Sequence, residues 1–234
     1  MPEPLVVAVA QPPCAAHDVA ANARAHAAAV RSAGARVVVF PELSLTGYEL
    51  DAAAVDPADE RLAPVTEACA ATGTIALAGA PVAEGQATHI AVLAFDGATV
   101  TVAYRKMWLG EEEAVRFTPG PAPAKITVDG WRLGLAVCKD TGVARHAAAT
   151  AALGIDAYLA GTVKHAGEAE LQHERARRIA AGHRVWVAVA SFAGPTGGGY
   201  HETAGRSGIW APDGALITGT GSRSGKATSA AFDQ

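Results

Sequence analysis

The strongest constraint on this chain is a set of short, nearly uninterrupted apolar runs, each cut off by a turn signal. Residues 133–137 (Leu-Gly-Leu-Ala-Val) form one such run, and residues 36–40 and 157–161 repeat the pattern. A strand apolar at almost every position has both faces covered, because a one-sided strand would alternate apolar with polar residues. Leu5–Gln11 and residues 185–191 read as further strands. Helices alternate with them. Asp18 is placed to cap a helix over residues 19–32, which Gly34 closes, and residues 61–72, 143–153 and 165–181 read as helical. The expected fold class is therefore α/β.

Other segments complete the chain. Residues 74–81 read as a strand from the β-propensity of Thr, Ile and Val. Residues 88–95 and 99–105 flank Asp96-Gly97, a hairpin signal. Residues 208–211 and 215–220 form a strand pair joined at Pro212-Asp213-Gly214. Residues 51–59 read as a loop over the site, and Gly194-Pro195-Thr196-Gly197-Gly198-Gly199 as a mobile loop. In the charged helix, Arg175, Arg177 and Arg178 are expected to pair with Glu168, Glu170 and Glu174. No linker divides the 234 residues, so a single domain over 1–234 is expected.

A net charge of -4 offers no basic face for nucleic acid. The start lacks a basic leader, and its apolar run is too short to span a membrane, so no membrane association is expected. Cys14, Cys69 and Cys138 are odd in number and show no C-x-x-C spacing. That argues against a disulfide framework or zinc site and for a reducing cytoplasm. The eight histidines lack metal-ligand spacing.

Four residues carry candidate chemistry. Cys138 sits where the buried run 133–137 hands over to a helix, a corner that exposes one side chain to backbone N–H groups. A thiol there can lose its proton near neutral pH and act as a nucleophile; alone, it reads more readily as a small buried hydrophobe, because a corner cysteine needs partners to become reactive. Glu42 follows the run 36–40 directly, and desolvation at a strand end raises a carboxyl toward the range of a general base. Lys106 ends the strand 99–105, a position where lysine ordinarily snorkels to the surface. Glu113 closes a run of three glutamates that would ordinarily be a solvated edge. His146 lies on the helix after Cys138, pointing away from the corner, and ranks below Glu42 as a base.

Taken in order, Phe40-Pro41-Glu42, Tyr104-Arg105-Lys106 and Val137-Cys138-Lys139-Asp140 resemble the nitrilase superfamily of carbon–nitrogen hydrolases. Pro119-Gly120 and the Pro212-Asp213-Gly214 turn extend the match across nearly the whole chain. The resemblance implies a four-layer αββα sandwich, a Glu-Lys-Cys triad and small amide, nitrile or carbamoyl substrates. It implies no cofactor and no metal, and a homodimer or larger assembly. By position, Glu42 is the base, Lys106 the oxyanion donor and Cys138 the nucleophile, with the Lys139 N–H as a second oxyanion donor. Glu113 matches a glutamate that positions substrate or relays protons. The run after Cys138 lacks the Arg-x-Pro-Glu pattern of many members, so the following helix starts differently. Two other readings stand beside hydrolysis: an N-acyltransferase, in which an amine resolves the thioester, and a binding protein that uses the same pocket.

Overall fold

A computed structural model describes residues 3–233. Strands β1 (Leu5–Gln11), β2 (Val37–Val39), β3 (Ile75–Glu84), β4 (Ala87–Phe95) and β5 (Val100–Arg105) precede β6 (Lys125–Val128) and β7 (Trp131–Val137). Then come β8 (Ala157–Thr162), β9 (Trp186–Ser191), β10 (Gly208–Trp210), β11 (Leu216–Gly219) and β12 (Lys226–Phe232). The α-helices are α1 (Val19–Ala33), α2 (Ala63–Thr72), α3 (Ala144–Ala151) and α4 (Ala169–His183). One sheet has the order β12-β1-β2-β3-β4-β5 and the other β11-β10-β9-β8-β7-β6. In each sheet three neighbouring strands run parallel, β1-β2-β3 and β7-β8-β9, with antiparallel strands outside them.

Strand periodicity explains the uninterrupted apolar runs. Along β1, Val7 and Val9 enter a core shared with Leu133, Leu135 and Leu159 of the second sheet. Ala8 and Ala10, on the opposite face, pack with Val19, Ala23 and Ala27 of α1. Along β8, Leu159 faces the central core, while Tyr158 and Ala160 pack with Ala147 of α3 and Ala176 and Ile179 of α4. Every second side chain meets the other sheet, and the ones between meet a helix. The result is the four-layer αββα sandwich. The alanines on the helix-facing sides leave room for the helices to lie close to the sheets.

Local signals mark the helix ends. The Asp18 carboxylate accepts from the Ala21 N–H at 2.9 Å, and Gly34 closes α1 in the left-handed conformation (φ 56°). Several elements differ from the sequence expectation. β6 and β12 were not expected; both are partly exposed, and β12 pairs with β1 along its whole length. Residues 138–142 form a 3-10 turn between β7 and α3, and α3 lies within the expected 143–153. The segment 51–59 belongs to the α1/α2 side, where Val55 is buried and donates its N–H to the Pro81 carbonyl. The intrahelical ion pairs of α4 are replaced by contacts outside the helix: Glu168 meets Lys164 at 3.4 Å and Glu170 meets Arg206 at 2.6 Å. No described helix is long and apolar enough to cross a membrane.

Candidate active site

Glu42 and Cys138 follow the C-terminal ends of parallel strands in opposite sheets, β2 and β7, and Lys106 follows β5. Crevices beyond the carboxyl ends of parallel strands are the usual ligand sites of α/β sheets, because the chain leaves the sheet there. Glu42 is threaded between the two sheets. A Cβ on Gly79 would lie 2.2 Å from the Leu43 nitrogen, and one on Gly161 would lie 2.6 Å from the Phe40 oxygen. Only glycine at both positions admits the Pro41-Glu42-Leu43 backbone. Leu43 itself has φ 51°, so the turn carrying the carboxylate is strained.

Lys106 is held at both backbone ends: its N–H donates to Ile90 and its carbonyl accepts from Gly120, each at 2.8 Å. A Cβ on Gly120 would meet the Arg105 oxygen at 2.1 Å, which gives the Pro119-Gly120 turn its glycine. The ammonium, 1% exposed, donates to Glu42 Oε1 and to Glu113 Oε1, both at 2.6 Å. Of the three consecutive glutamates, Glu111 and Glu112 are exposed and only Glu113 turns inward. Its Oε1 also accepts the Tyr48 hydroxyl at 2.6 Å, and its Oε2 accepts the Gly110 N–H at 2.6 Å.

Cys138 has φ 41°, in the left-handed region that a non-glycine residue occupies at a cost of about 1–3 kcal/mol. Its thiol is buried and donates to the Val163 carbonyl at 3.2 Å. Asp140, two residues on, accepts from the Val137 N–H (2.9 Å), the Trp108 N–H (2.9 Å) and the Tyr104 hydroxyl (2.8 Å). This carboxylate ties the Cys138 corner to the turn after Lys106. His146 is buried in the same network, with Nε2 2.9 Å from the Tyr104 hydroxyl and Nδ1 3.0 Å from that of Tyr158. It is thus engaged away from the thiol, as its helix position implied.

The two carboxylates on Lys106 are electrostatically unlike. Burial pushes Glu42 up to about 7, against the pull of the Lys106 charge and with the Glu113 charge adding to it. Burial also acts on Glu113, but Lys106, Tyr48 and the Gly110 N–H together hold its carboxyl below the usual value. The difference lies in satisfaction: both Glu113 oxygens are hydrogen-bonded, whereas Glu42 Oε2 is buried and has no partner. Burial opposes the Lys106 charge, yet Glu42, Cys138 and Glu113 more than offset it, so the ammonium stays protonated. Cys138 departs from expectation. Burial pushes its thiol up to about 12, with Glu42 adding to the rise and Lys106 and Lys164 opposing it. Closed off from water, the corner favours the neutral thiol over the thiolate.

A cavity of about 410 Å³ opens beside Glu113, walled by Tyr48, Glu111, His165, Gly198 and Tyr200. Sequence reasoning missed Tyr48 and the structural part played by Asp140; both act through contacts between residues more than 30 positions apart. It also did not anticipate that His17, Glu49 and Asp51 group their ligand atoms within 4.8 Å. That trio is largely exposed, and His17 is already paired with Asp51 at 2.9 Å. All three cysteines are free.

Two mixed sheets set back to back under outer helices make this the nitrilase-superfamily fold. The chain belongs to the carbon–nitrogen hydrolase family, whose model matches residues 6–234. A curated relative, the hydrolase in the pqqF 5' region of Pseudomonas protegens, is 29% identical over 228 residues, covering 90% of this chain and 77% of that protein. Among solved structures, a cysteine-to-alanine mutant of an amidase from Nesterenkonia AN1 superposes with a TM-score of 0.88. It is 23% identical and covers 97% of this chain and 90% of its own. Nit3 of Saccharomyces cerevisiae, a branch 10 member of the superfamily, gives 0.86 at 20% identity over 99% of this chain and 90% of its own.

Proposed function

We propose that the protein hydrolyses a small non-peptide amide or carbamoyl compound through a thioester on Cys138. The observation that carries this reading is the buried Lys106 ammonium shared by two carboxylates, one of which, Glu42, keeps an unpartnered oxygen and a pKa near 7. As substrate enters, Glu42 takes the thiol proton and the sulfur attacks the amide carbon. The oxyanion is met by Lys106, which has one N–H left after its two carboxylate bonds, and by the Lys139 N–H. Collapse breaks the C–N bond, and Glu42 passes its proton to the departing amine. Water then attacks the thioester with Glu42 again as base, releasing the acid and restoring the thiol. With burial favouring the neutral thiol, proton removal and attack are coupled through Glu42.

Two further observations support an enzyme over a binding protein. A pocket that only binds has no use for a nucleophile in a strained conformation, and the Cys138 φ of 41° is such a strain. The Nesterenkonia amidase, which shares the fold, has been solved in complex with butyramide, a small aliphatic amide. Ammonia release over a panel of small aliphatic amides, nitriles and carbamoyl compounds tests the reading. Turnover of at least one amide or carbamoyl compound, abolished in Cys138→Ala, is the expected result; no release from any compound at micromolar enzyme would refute it. Adding hydroxylamine or simple amines to the same assay separates hydrolysis from acyl transfer, which would give the substituted amide in place of the acid.

A further inference from the structure

We infer that Tyr48 is a positioning residue for this reaction, seated by the glycine-rich loop 194–200 and acting through Glu113 on the Lys106 ammonium. The inference rests on the proposed amide chemistry and goes beyond it to a residue outside the Glu-Lys-Cys set. Tyr48 lies six residues after Glu42 in the chain, its ring buried (7% exposed) and its hydroxyl on Glu113 Oε1 at 2.6 Å. That same oxygen accepts Lys106 at 2.6 Å. Glu113 is thus pinned by Tyr48 and by the Gly110 N–H, and in turn supplies one of two acceptors that fix where the ammonium points. The direction of the remaining Lys106 N–H follows from those two bonds. If one acceptor drifts, the oxyanion donor drifts with it.

The loop 194–200 accounts for how Tyr48 is held. The Thr196 hydroxyl oxygen accepts the Tyr48 N–H at 2.8 Å. A Cβ on Gly197 would lie 2.5 Å from the Tyr48 carbonyl oxygen, and one on Gly198 would lie 2.7 Å from the Tyr48 ring. The glycines therefore let the loop lie directly on this tyrosine, a use that their spacing in the sequence did not disclose. Tyr200, at the end of the loop, meets the Tyr48 ring edge-on at 5.2 Å and stacks on His165 at 4.1 Å. Burial and the neighbouring Glu42 and Glu113 charges keep the phenol protonated, so it remains a donor to Glu113.

The test compares Tyr48→Phe, which deletes only the hydroxyl, with Thr196→Val and Thr196→Ser, which remove and keep the loop's acceptor. Loss of a hydrogen bond to a buried carboxylate should lower kcat by about 10-fold or more in Tyr48→Phe, with KM and melting temperature near wild type. Thr196→Val should lose kcat by a smaller factor, and Thr196→Ser should restore it. A second readout does not need turnover: iodoacetamide labelling of Cys138 at pH 8 should slow several-fold in Tyr48→Phe while Cys14 labels at its wild-type rate. Wild-type kcat and wild-type Cys138 labelling in Tyr48→Phe would overturn the inference, as would a loss confined to KM. If Tyr48→Phe does not fold, equal kcat and labelling in Thr196→Val and Thr196→Ser would overturn it. An inactive wild type sinks the amide reading alone, since the labelling comparison still decides whether Tyr48 aligns the site.

Discussion

Replacing Lys106 by methionine separates the electrostatic account from a merely steric one. Methionine keeps a stem of similar length but removes the charge that Glu42 and Glu113 share at 2.6 Å each. Two buried carboxylates are then left without their cation, and breaking a buried pair in this way costs about 3–5 kcal/mol. For a chain of this size that corresponds to a melting temperature lower by about 6–20 °C at pH 8. The deficit should shrink on acidification. Glu42 already sits near 7 with Lys106 present, and losing the lysine pushes it higher, so by pH 5.5 Glu42 is neutral and one of the two unpaired charges is gone. Turnover should fall by at least about 10²-fold, the scale of one oxyanion donor. Lys106→Arg restores charge but not a compact point donor, so it should rescue melting more than rate. Calorimetry at pH 5.5 and pH 8 with parallel ammonia assays reads both effects. Wild-type melting at pH 8 together with wild-type turnover in Lys106→Met would refute the reasoning.

On the proposed mechanism, Glu42 should set the acid side of the pH–rate profile. The base works ionised and its pKa lies near 7, so kcat/KM should rise about tenfold per pH unit below 7 and level off above it; a profile flat down to pH 5 would contradict this. The same raised pKa stabilises the fold below about 4.5, and that contribution is lost as pH rises through 7, so wild-type melting should decline across this window in the absence of other titrations. Cys138 labelling should depend on Glu42 rather than on a resting thiolate. With burial pushing Cys138 and Cys14 both up to about 12, Glu42→Gln should slow iodoacetamide labelling of Cys138 and leave Cys14 unchanged, whereas equal slowing of both, read by peptide mapping, would remove Glu42 as the thiol's base.

The parts of the fold legible in the sequence were those with two buried faces. β2, β7 and β8 are apolar at nearly every position, so no choice of register arises and the run announces itself. β12 escaped because it is an edge strand whose Lys, Ala, Thr and Ser residues are mostly exposed, with only its last residue, Phe232, entering the central core. β6 is likewise a short edge strand. Glu42 and Cys138 each close an apolar run, and Lys106 closes the more polar β5 strand just after Arg105; none of the three stood out alone, and it was the ordered trio of motifs, through family resemblance, that picked them out. Glu113 was legible only through family resemblance, since its neighbours Glu111 and Glu112 are exposed and nothing local marks the third glutamate as the inward one. Tyr48 could not be read as a partner of the site, and Asp140 only as part of the Cys138 motif, because the Tyr48–Glu113, Asp140–Trp108 and Asp140–Tyr104 bonds join distant segments. The thiol expectation failed for a physical reason: a corner suggests access to solvent, but Cys138 is closed in on the Val163 carbonyl, and burial outweighs the nearby cations.

The division of labour between the carboxylates follows from their hydrogen bonds. Glu113 is fully satisfied and remains an anion at neutral pH, a fixed anchor for Lys106. Glu42, with one oxygen free and a pKa near 7, is the group able to take up and return a proton during a cycle. The resulting arrangement keeps Lys106 charged while Glu42 titrates.

The most direct test of the central claim is to trap the acyl group. Enzyme mixed with a turned-over amide and quenched in acid within one turnover should carry the mass of the acyl fragment on the Cys138 peptide, absent in Cys138→Ala and stable until base is added. Borohydride reduction in the presence of substrate should leave nothing on Lys106, whose ammonium is held protonated by its two carboxylates. An acyl mass on Cys138 alone is the predicted result; a reduced adduct on Lys106, or turnover that continues in Cys138→Ala, would contradict the account.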